Sequence, residues 1–555
     1  MLVQVSRKGC LSTPGAPTPS DRCDPRRDGI IEVQLRSKPM EIENLAFLKH
    51  FFRFNRRVYL DHNATTPVSR RVQREMTRVL TSHYGNPSSL YGIARKSAEM
   101  VEKARRQVAG AVGADAAEII FTSCATESNN AVVHAASAHF FPGRKKIITT
   151  PIEHPSVLNT LAHLQTRGVV VEVCPVDGRG RLRLDELERQ IDADTFLVCC
   201  IVANNETGVI QDIRAVAEIA QRHGALVLAD CVQAPGKIPV DLHGWGVDYA
   251  AFSAHKLYGP KGIGALYVKQ GSPFEPLLHG GHQEGGLRAG TESLHNIVGF
   301  GAACQDVKTL LAHAPETRAL RRRLIERLKQ AKPDCVINSP EEAECLPNTL
   351  SVTFPGVENA ELMAMLDFRG VAVSAGSACS TGDDAPSHVL QALGISAQAA
   401  RQTIRFSLGR DNTAADIDYT VRVIRDTLAG RTPVVNMGPA LVNESILFDE
   451  GTFILDVRPP DDRRRYKGLP NAHEVPGFSL TVEKYLKQIP RDKRILVVCP
   501  GGGLSVMVSY YLKAKGYPRV TNLRGGLDAW RARRGDLYQK YAGQNIQMLE
   551  PDEAG

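Results

Sequence analysis

Five short segments carry side chains whose types and setting could do chemistry. "FTSCATESNN" places Thr126 at the head of a helical pattern, where free N–H groups and the positive end of the helix dipole can seat a phosphate. "LADCVQAPGK" puts Asp230 directly after an apolar strand pattern, as a helix cap or as a partner for a cationic ring nitrogen. "AFSAHKLYGPKGIG" sets Lys256 between a strand and a glycine-rich turn, where a lysine is either a solvated surface residue or a reactive amine. "TTPIEHPSVL" offers the imidazole of His154. The fifth segment, "VAVSAGSACSTGDDAPSHVL", carries Cys379 among small, turn-forming residues. Nothing bulky there argues for core packing, and no second cysteine lies at metal-pair spacing.

The first four segments together meet the needs of pyridoxal phosphate. That cofactor takes a lysine amine at its aldehyde, a carboxylate at its ring nitrogen, hydroxyls and amides at its phosphate, and an aromatic ring stacked on its face.

Those groups need strands to place them. From about residue 115 to 270, "EIIFTS", "KKIITT", "VVVEVCPV", "TFLVCCIVA", "ALVLADC", "VDYAAFS" and "GALYV" predict buried strands. "SNNAVVHAASAHFF", "PSVLNTLAHLQ" and "IRAVAEIAQRHG" predict helices between them. The alternation predicts a largely parallel sheet covered on both faces, with ligands bound beyond the carboxyl ends of its strands. Residues 311–430 change to a smaller α+β pattern, and after "GRTPVVNMGP" a third, compact α/β pattern begins. Three units suit 555 residues, too long a chain for one ordinary core.

Composition narrows the function class. Hydrophobic content of 43% and charged content of 23% are those of a globular protein. No apolar run approaches the ~20 residues that cross a bilayer, so no membrane role is expected. The net charge of +8 is spread too thinly to demand a nucleic-acid partner. The twelve cysteines contain no C-x-x-C pair, so neither a metal site nor a disulfide framework is expected. A reducing compartment, the cytoplasm, follows as the expected location. Residues 1–57 carry 11 Lys/Arg against 6 Asp/Glu and no apolar signal core, and are expected to form a poorly ordered extension.

The run "YLDHNATTP", "YGNPSS", "FTSCATESNN", "EHPSVL", "NNETGVIQDI", "DCVQAPGKIPVDL", "SAHKLYGPKGIGALYV", "GLRAGTES", "SAGSACS" and "RFSLGR" is similar, in uninterrupted order, to the cysteine desulfurases of the NifS/IscS type, in the class V aminotransferase family. The resemblance implies an α/β chain of pyridoxal-phosphate fold type I, aspartate-aminotransferase-like, over residues 58–432. Its large domain would span about 66–310 and its small domain about 311–432. It implies a homodimer acting on L-cysteine. Lys256 would carry the cofactor and remove the substrate Cα proton, Asp230 would pair with the ring nitrogen, and Gln233 and Asn205 would lie on the ring-oxygen side. His154 would stack on the ring and move protons. Ala125 through its amide, Thr126, Ser253 and His255 would hold the phosphate, with Thr291 completing the grip from the partner subunit. Arg405 would clamp the substrate carboxylate, with Asn86 and Asn205 nearby. Cys379 would take the sulfur as a persulfide. One departure is Cys124, where many relatives have glycine.

Residues 440–540 resemble a rhodanese domain through "FILDVRPPDD", "GLPNAHEVP" and "VTNLRGGLDAW", leaving 541–555 as a tail. Cys499 opens the loop "CPGGGLS" ahead of a helical pattern, a setting that aims amides at a sulfur. Leu504 stands where the family usually has arginine. Thiosulfate would lose its cationic partner there, whereas a persulfide delivered from Cys379 brings less charge. The expected acceptors are iron–sulfur scaffold or thiolation proteins. A selenocysteine lyase and a sulfur-relay scaffold with a degenerate large domain are the alternatives.

Overall fold

The computed structural model describes residues 57–375, 386–429, 434–475, 482 and 484–550; Cys379 and the extension through residue 56 lie outside them. The chain enters on β1 (Val58–Tyr59) and continues through α1 (Arg70–Ser82) and α2 (Gly92–Val112). Seven strands follow: β2 (Ile119–Thr122), β3 (Lys146–Thr149), β4 (Val170–Val173), β5 (Thr195–Ile201), β6 (Leu226–Asp230), β7 (Tyr249–Ser253) and β8 (Gly264–Val268). Among them lie α3 (Ala125–Phe140), α4 (Pro155–Gln165) and α5 (Ile213–Arg222). All seven predicted strands and all three predicted helices are present.

The sheet order is β2-β8-β7-β6-β5-β3-β4. Only β8 is antiparallel to its neighbours β2 and β7, so β2 and β7 run the same way. Every residue of β5 and β7 is buried, because helices cover both faces. The carboxyl ends of β2, β3, β6 and β7 therefore meet along one edge, and the polar segments described above begin there.

Helix α6 (Leu294–Cys304) packs on α1 and α2 and closes the large domain. The small domain holds α7 (Ala314–Ala331), β9 (Val336–Ile337), β10 (Thr349–Thr353), α8 (Asn359–Phe368), β11 (Val371–Ala372), β12 (Thr403–Ser407) and α9 (Ala414–Ala429). Strands β12, β10 and β9 form an antiparallel sheet, and β1 returns to pair in parallel with β11. Leu324, Leu350, Phe354, Ile404, Phe406 and Ile424 form its core.

The last unit is a six-stranded, wholly parallel sheet in the order β13-β17-β16-β14-β15-β18. Its strands are β13 (Val435–Met437), β14 (Thr452–Asp456), β15 (Ala472–Glu474), β16 (Arg494–Val498), β17 (Val520–Leu523) and β18 (Gln547–Met548). The outer strands reach past 440–540 on both sides. Helices α10 (Gly503–Ala514) and α11 (Gly526–Arg533) flank it, and α11 anchors through Trp530, whose indole N–H donates to Val442 O at 2.9 Å. Helix α8 of the small domain packs on α10. Among the described residues, no helix is long and apolar enough to cross a membrane.

Candidate active site

The sheet edge offers an anion seat at the start of α3. Cys124 caps the helix without a side-chain hydrogen bond, and the amides of Ala125 and Thr126 meet no protein acceptor among the described residues. Such uncapped amides suit a phosphate. The backbone at Cys124 lies tight against Gly264, where a Cβ would come within 2.7 Å of the Cys124 carbonyl carbon. Cys124 itself has φ −173°, extended backbone open to any residue, so a cysteine in place of glycine brings no strain. Ser253 ends β7 and is buried, and His255 follows it with Nδ1 3.1 Å from Thr65 Oγ1. Burial, with Lys256, Lys261 and Lys237 nearby, pushes the His255 imidazole down to about 4. It therefore stays neutral and able to donate one N–H.

Asp230 ends β6 almost fully buried. Its Oδ2 accepts from Asn129 Nδ2 at 3.0 Å and its Oδ1 from the Val232 amide at 3.0 Å. Two donors of this kind orient the carboxylate, as a ring-nitrogen partner must be oriented. His154 is the N-cap of α4, and its Nδ1 accepts from the Ser156 amide at 3.1 Å. That acceptance fixes the neutral tautomer with its proton on Nε2. Burial lowers the His154 pKa; Asp230 opposes the shift, and Lys256 and His388 add to it.

Lys256 Nζ donates to the carbonyls of Asn63 and Ala64, each at 2.8 Å. The segment 61–66 is thus the frame of the site. Asn63 Nδ2 donates to Asn205 O at 3.0 Å and Thr349 Oγ1 at 2.8 Å, and the Asn63 amide donates to Ser407 Oγ at 2.9 Å. Gln233 Nε2 donates to Asn63 O at 3.0 Å. Arg405, on β12 and only 2% exposed, donates to Asp61 Oδ1 at 2.6 Å and to Asn205 O at 3.2 Å. One loop therefore ties the lysine of the large domain to the arginine of the small one. Asp61, Asn63 and Asn129 escaped assignment from the sequence. Asp61 and Asn63 stand in "DHNATT", a polar run too rich for a simple turn, which was the available signal.

Two assigned residues lie apart. Thr291 is exposed on the segment before α6 and makes no hydrogen bond to another site residue of this chain among those described. Asn86 is exposed too, its Oδ1 accepting from the Ser88 amide at 3.0 Å in a local turn. Cys379 lies outside the described residues. The described residues flanking its segment, Ala375 and Pro386, line a cleft of about 490 Å³ that Gly501, Gly502, Gly503 and Arg524 also line.

Cys499 is 1% exposed, directly after β16. Its Sγ accepts from the Ser505 amide at 3.3 Å and sits 3.2 Å from Ser505 Oγ. Burial raises the thiol pKa, while the Ser505 hydroxyl and the amides of Ser505, Gly502 and Leu504 act to lower it. The loop is shaped from behind by "NLRGGLDAW": the Leu527 and Asp528 amides donate to the Cys499 and Pro500 carbonyls at 2.9 and 3.1 Å. Only glycine fits at 526, because a Cβ would fall 2.1 Å from Pro500 O and φ is +64°.

The amides of α3, the Asp230 carboxylate and the Lys256 amine suit pyridoxal phosphate, whose phosphate, ring nitrogen and aldehyde require those groups. Residues 58–420 match the class-V aminotransferase family, and residues 443–533 match the rhodanese-like domain. A cysteine desulfurase of Trichormus azollae is 43% identical over 371 residues, covering 66% of this chain and 92% of the relative. The cysteine desulfurase NifS of Azotobacter vinelandii is 39% identical over 375 residues, 67% of this chain and 92% of that one. A solved NifS-like protein superposes with a TM-score of 0.64 at 42% identity, covering 67% of this chain and all of the other. A NifS-like protein from Rickettsia africae does so with a TM-score of 0.61 at 31% identity, covering 67% of this chain and all of the other. With its strand-end lysine, its fold and these relatives in agreement, the chain belongs to the class-V aminotransferase family of pyridoxal-phosphate proteins and carries a rhodanese-like domain behind it.

Proposed function

We propose that this protein is a cysteine desulfurase that converts L-cysteine to L-alanine, captures the sulfur on Cys379 and passes it to Cys499. The observation that carries this reading is the convergence of Lys256, Asp230, His154 and the α3 amides on one sheet edge, roofed by Arg405 of the small domain. Bound pyridoxal phosphate supplies an electron sink that makes the substrate Cα proton removable and loosens the Cβ–sulfur link. Lys256 Nζ takes that proton and returns it. With the cofactor bound, Asp230 would keep a proton on the ring nitrogen, Gln233 and Asn205 would serve the ring oxygen, and Ala125, Thr126, Ser253 and His255 would hold the phosphate. Arg405, with Asn205 beside it, would orient the substrate carboxylate by a planar fork of donors. His154, with its proton on Nε2, would move a proton during the reaction.

The Cys379 thiolate attacks the substrate sulfur. The carbon–sulfur bond breaks, its electron pair stays on carbon and is protonated, and alanine leaves behind a persulfide. Cys499 then attacks the outer sulfur, the old sulfur–sulfur bond breaks, and Cys379 departs as thiolate, so the transfer needs no outside oxidant. The cleft lined by Ala375, Pro386 and Gly501–Gly503 supports this route. Cys379 is four residues from Ala375, a span of at most about 14 Å. Sulfur continues to iron–sulfur scaffolds or to thiolation proteins, including those acting on tRNA.

Leu80, Tyr84, Leu90, Tyr91 and Ile93, large apolar side chains left exposed within one stretch of sequence, support a homodimer, in which Thr291 of the partner subunit would complete the phosphate grip. The nine described cysteines are all free, in keeping with a reducing, cytoplasmic setting. Incubation with cysteine tests the function. Cys379→Ser is expected to keep the cofactor's visible absorbance but form no persulfide, and full-rate desulfuration by that variant would refute the assignment. Comparing alanine release from cysteine and selenocysteine separates the lyase alternative.

A further inference from the structure

Lys237 is a second lysine inside the site, and the roles above leave it unused. It lies four residues after Gln233 along a run of turns, and its Nζ donates to Gln233 Oε1 and to Asn63 Oδ1, the latter at 3.2 Å. A lysine amine offers donors, so it selects the oxygen end of each amide. The Gln233 amide is thereby fixed: oxygen on Lys237, nitrogen toward the Asn63 carbonyl at 3.0 Å. One Gln233 N–H remains without a protein acceptor among the described residues.

We infer that Lys237 is a positioning residue that sets the polarity of the Gln233 amide, so that a donor and never an acceptor faces the cofactor's ring oxygen. The inference rests on the assignment of Gln233 to that oxygen. Its physical basis is the asymmetry of a primary amide, which a lone glutamine could present either way round. A carbonyl turned toward an anionic oxygen would repel it; an N–H donated to it stabilises the anion and lowers the pH midpoint of the bound cofactor's visible transition. Burial depresses the Lys237 pKa, and nearby Lys256 and Arg405 depress it further, yet a neutral amine keeps two N–H donors for the same two oxygens.

The test is a pH titration of the visible absorbance of the full-length, cofactor-loaded protein. Gln233→Leu is expected to raise the midpoint by about half to one pH unit, the worth of one hydrogen bond. Lys237→Met is expected to raise it by a similar amount. The double variant is expected to go no higher than Gln233→Leu alone, because Lys237 acts through the glutamine. Lys237→Arg keeps the donors and is expected to recover most of the shift. Should Lys237→Met take up no cofactor, Lys237→Gln, one bond too short to reach the Gln233 oxygen, replaces it with the same expectation. Additive shifts in the double variant would overturn the inference, since Lys237 would then act by its own charge. A Gln233→Leu shift without a Lys237→Met shift would overturn it alone, while no shift from Gln233→Leu would overturn the ring-oxygen assignment and the inference together.

Discussion

The two ends of the proposed sulfur route hold their reactive atoms in opposite ways. Lys256 stands at a sheet edge among groups drawn from both the large and small domains, with Asp230, Asn63, Arg405 and Asp61 supplying full charges and long-range ties. Cys499 opens the seven-residue stretch "CPGGGLS" and is buried in an apolar cluster, with amides and one hydroxyl as the polar groups at its sulfur among the described residues. The first site is built to create charge and move protons. In the proposed route the second would receive an atom that arrives already activated, which asks for no cation where Leu504 stands.

That contrast can be broken at either end. The largest effect is expected from Lys256→Ala, which should abolish the visible absorbance and cut alanine release by at least about 10⁴-fold, read by absorbance and product assay. In the rhodanese-like domain the fully buried pair of Arg458 and Asp456, at 2.8 Å, is structural. Arg458→Leu strands a buried carboxylate and should cost about 3–5 kcal/mol, seen as a lower unfolding midpoint in denaturant. Leu504→Arg sharpens the comparison by adding the missing cation. The Cys499 pKa, raised by burial, should fall by about one pH unit, moving the pH midpoint of its alkylation down. Cys499→Ser is the smallest change and should leave alanine release from cysteine within about twofold of the parent when an external thiol accepts the sulfur.

The strands and helices of the large domain were legible because buried parallel strands read as short apolar runs bounded by turns. Asp230 and Lys256 were legible because they break those runs at their ends, on β6 and just past β7. The stitching was not. Asn63 acts through its backbone carbonyl and amide as well as its side chain, all on partners far away in sequence, and Asp61 through a pairing 344 residues away in sequence, with Arg405. Neither leaves a periodic trace. The edge strands β13 and β18 of the last domain were missed for a related reason: three and two residues long, they are defined by their neighbours' hydrogen bonds more than by their own composition. The burial of Cys499 was also hidden, since "CPGGGLS" reads as an open loop until "GGLDAW" closes behind it.

The claim that sulfur moves in one direction, from the lysine site to the amide-lined loop, is tested most directly by single-turnover labelling with sulfur-labelled cysteine. Label is predicted on Cys379 in Cys499→Ser, on Cys499 at later times in the parent, and on neither position in Cys379→Ser. Label appearing on Cys499 at the parent rate in Cys379→Ser would contradict the account.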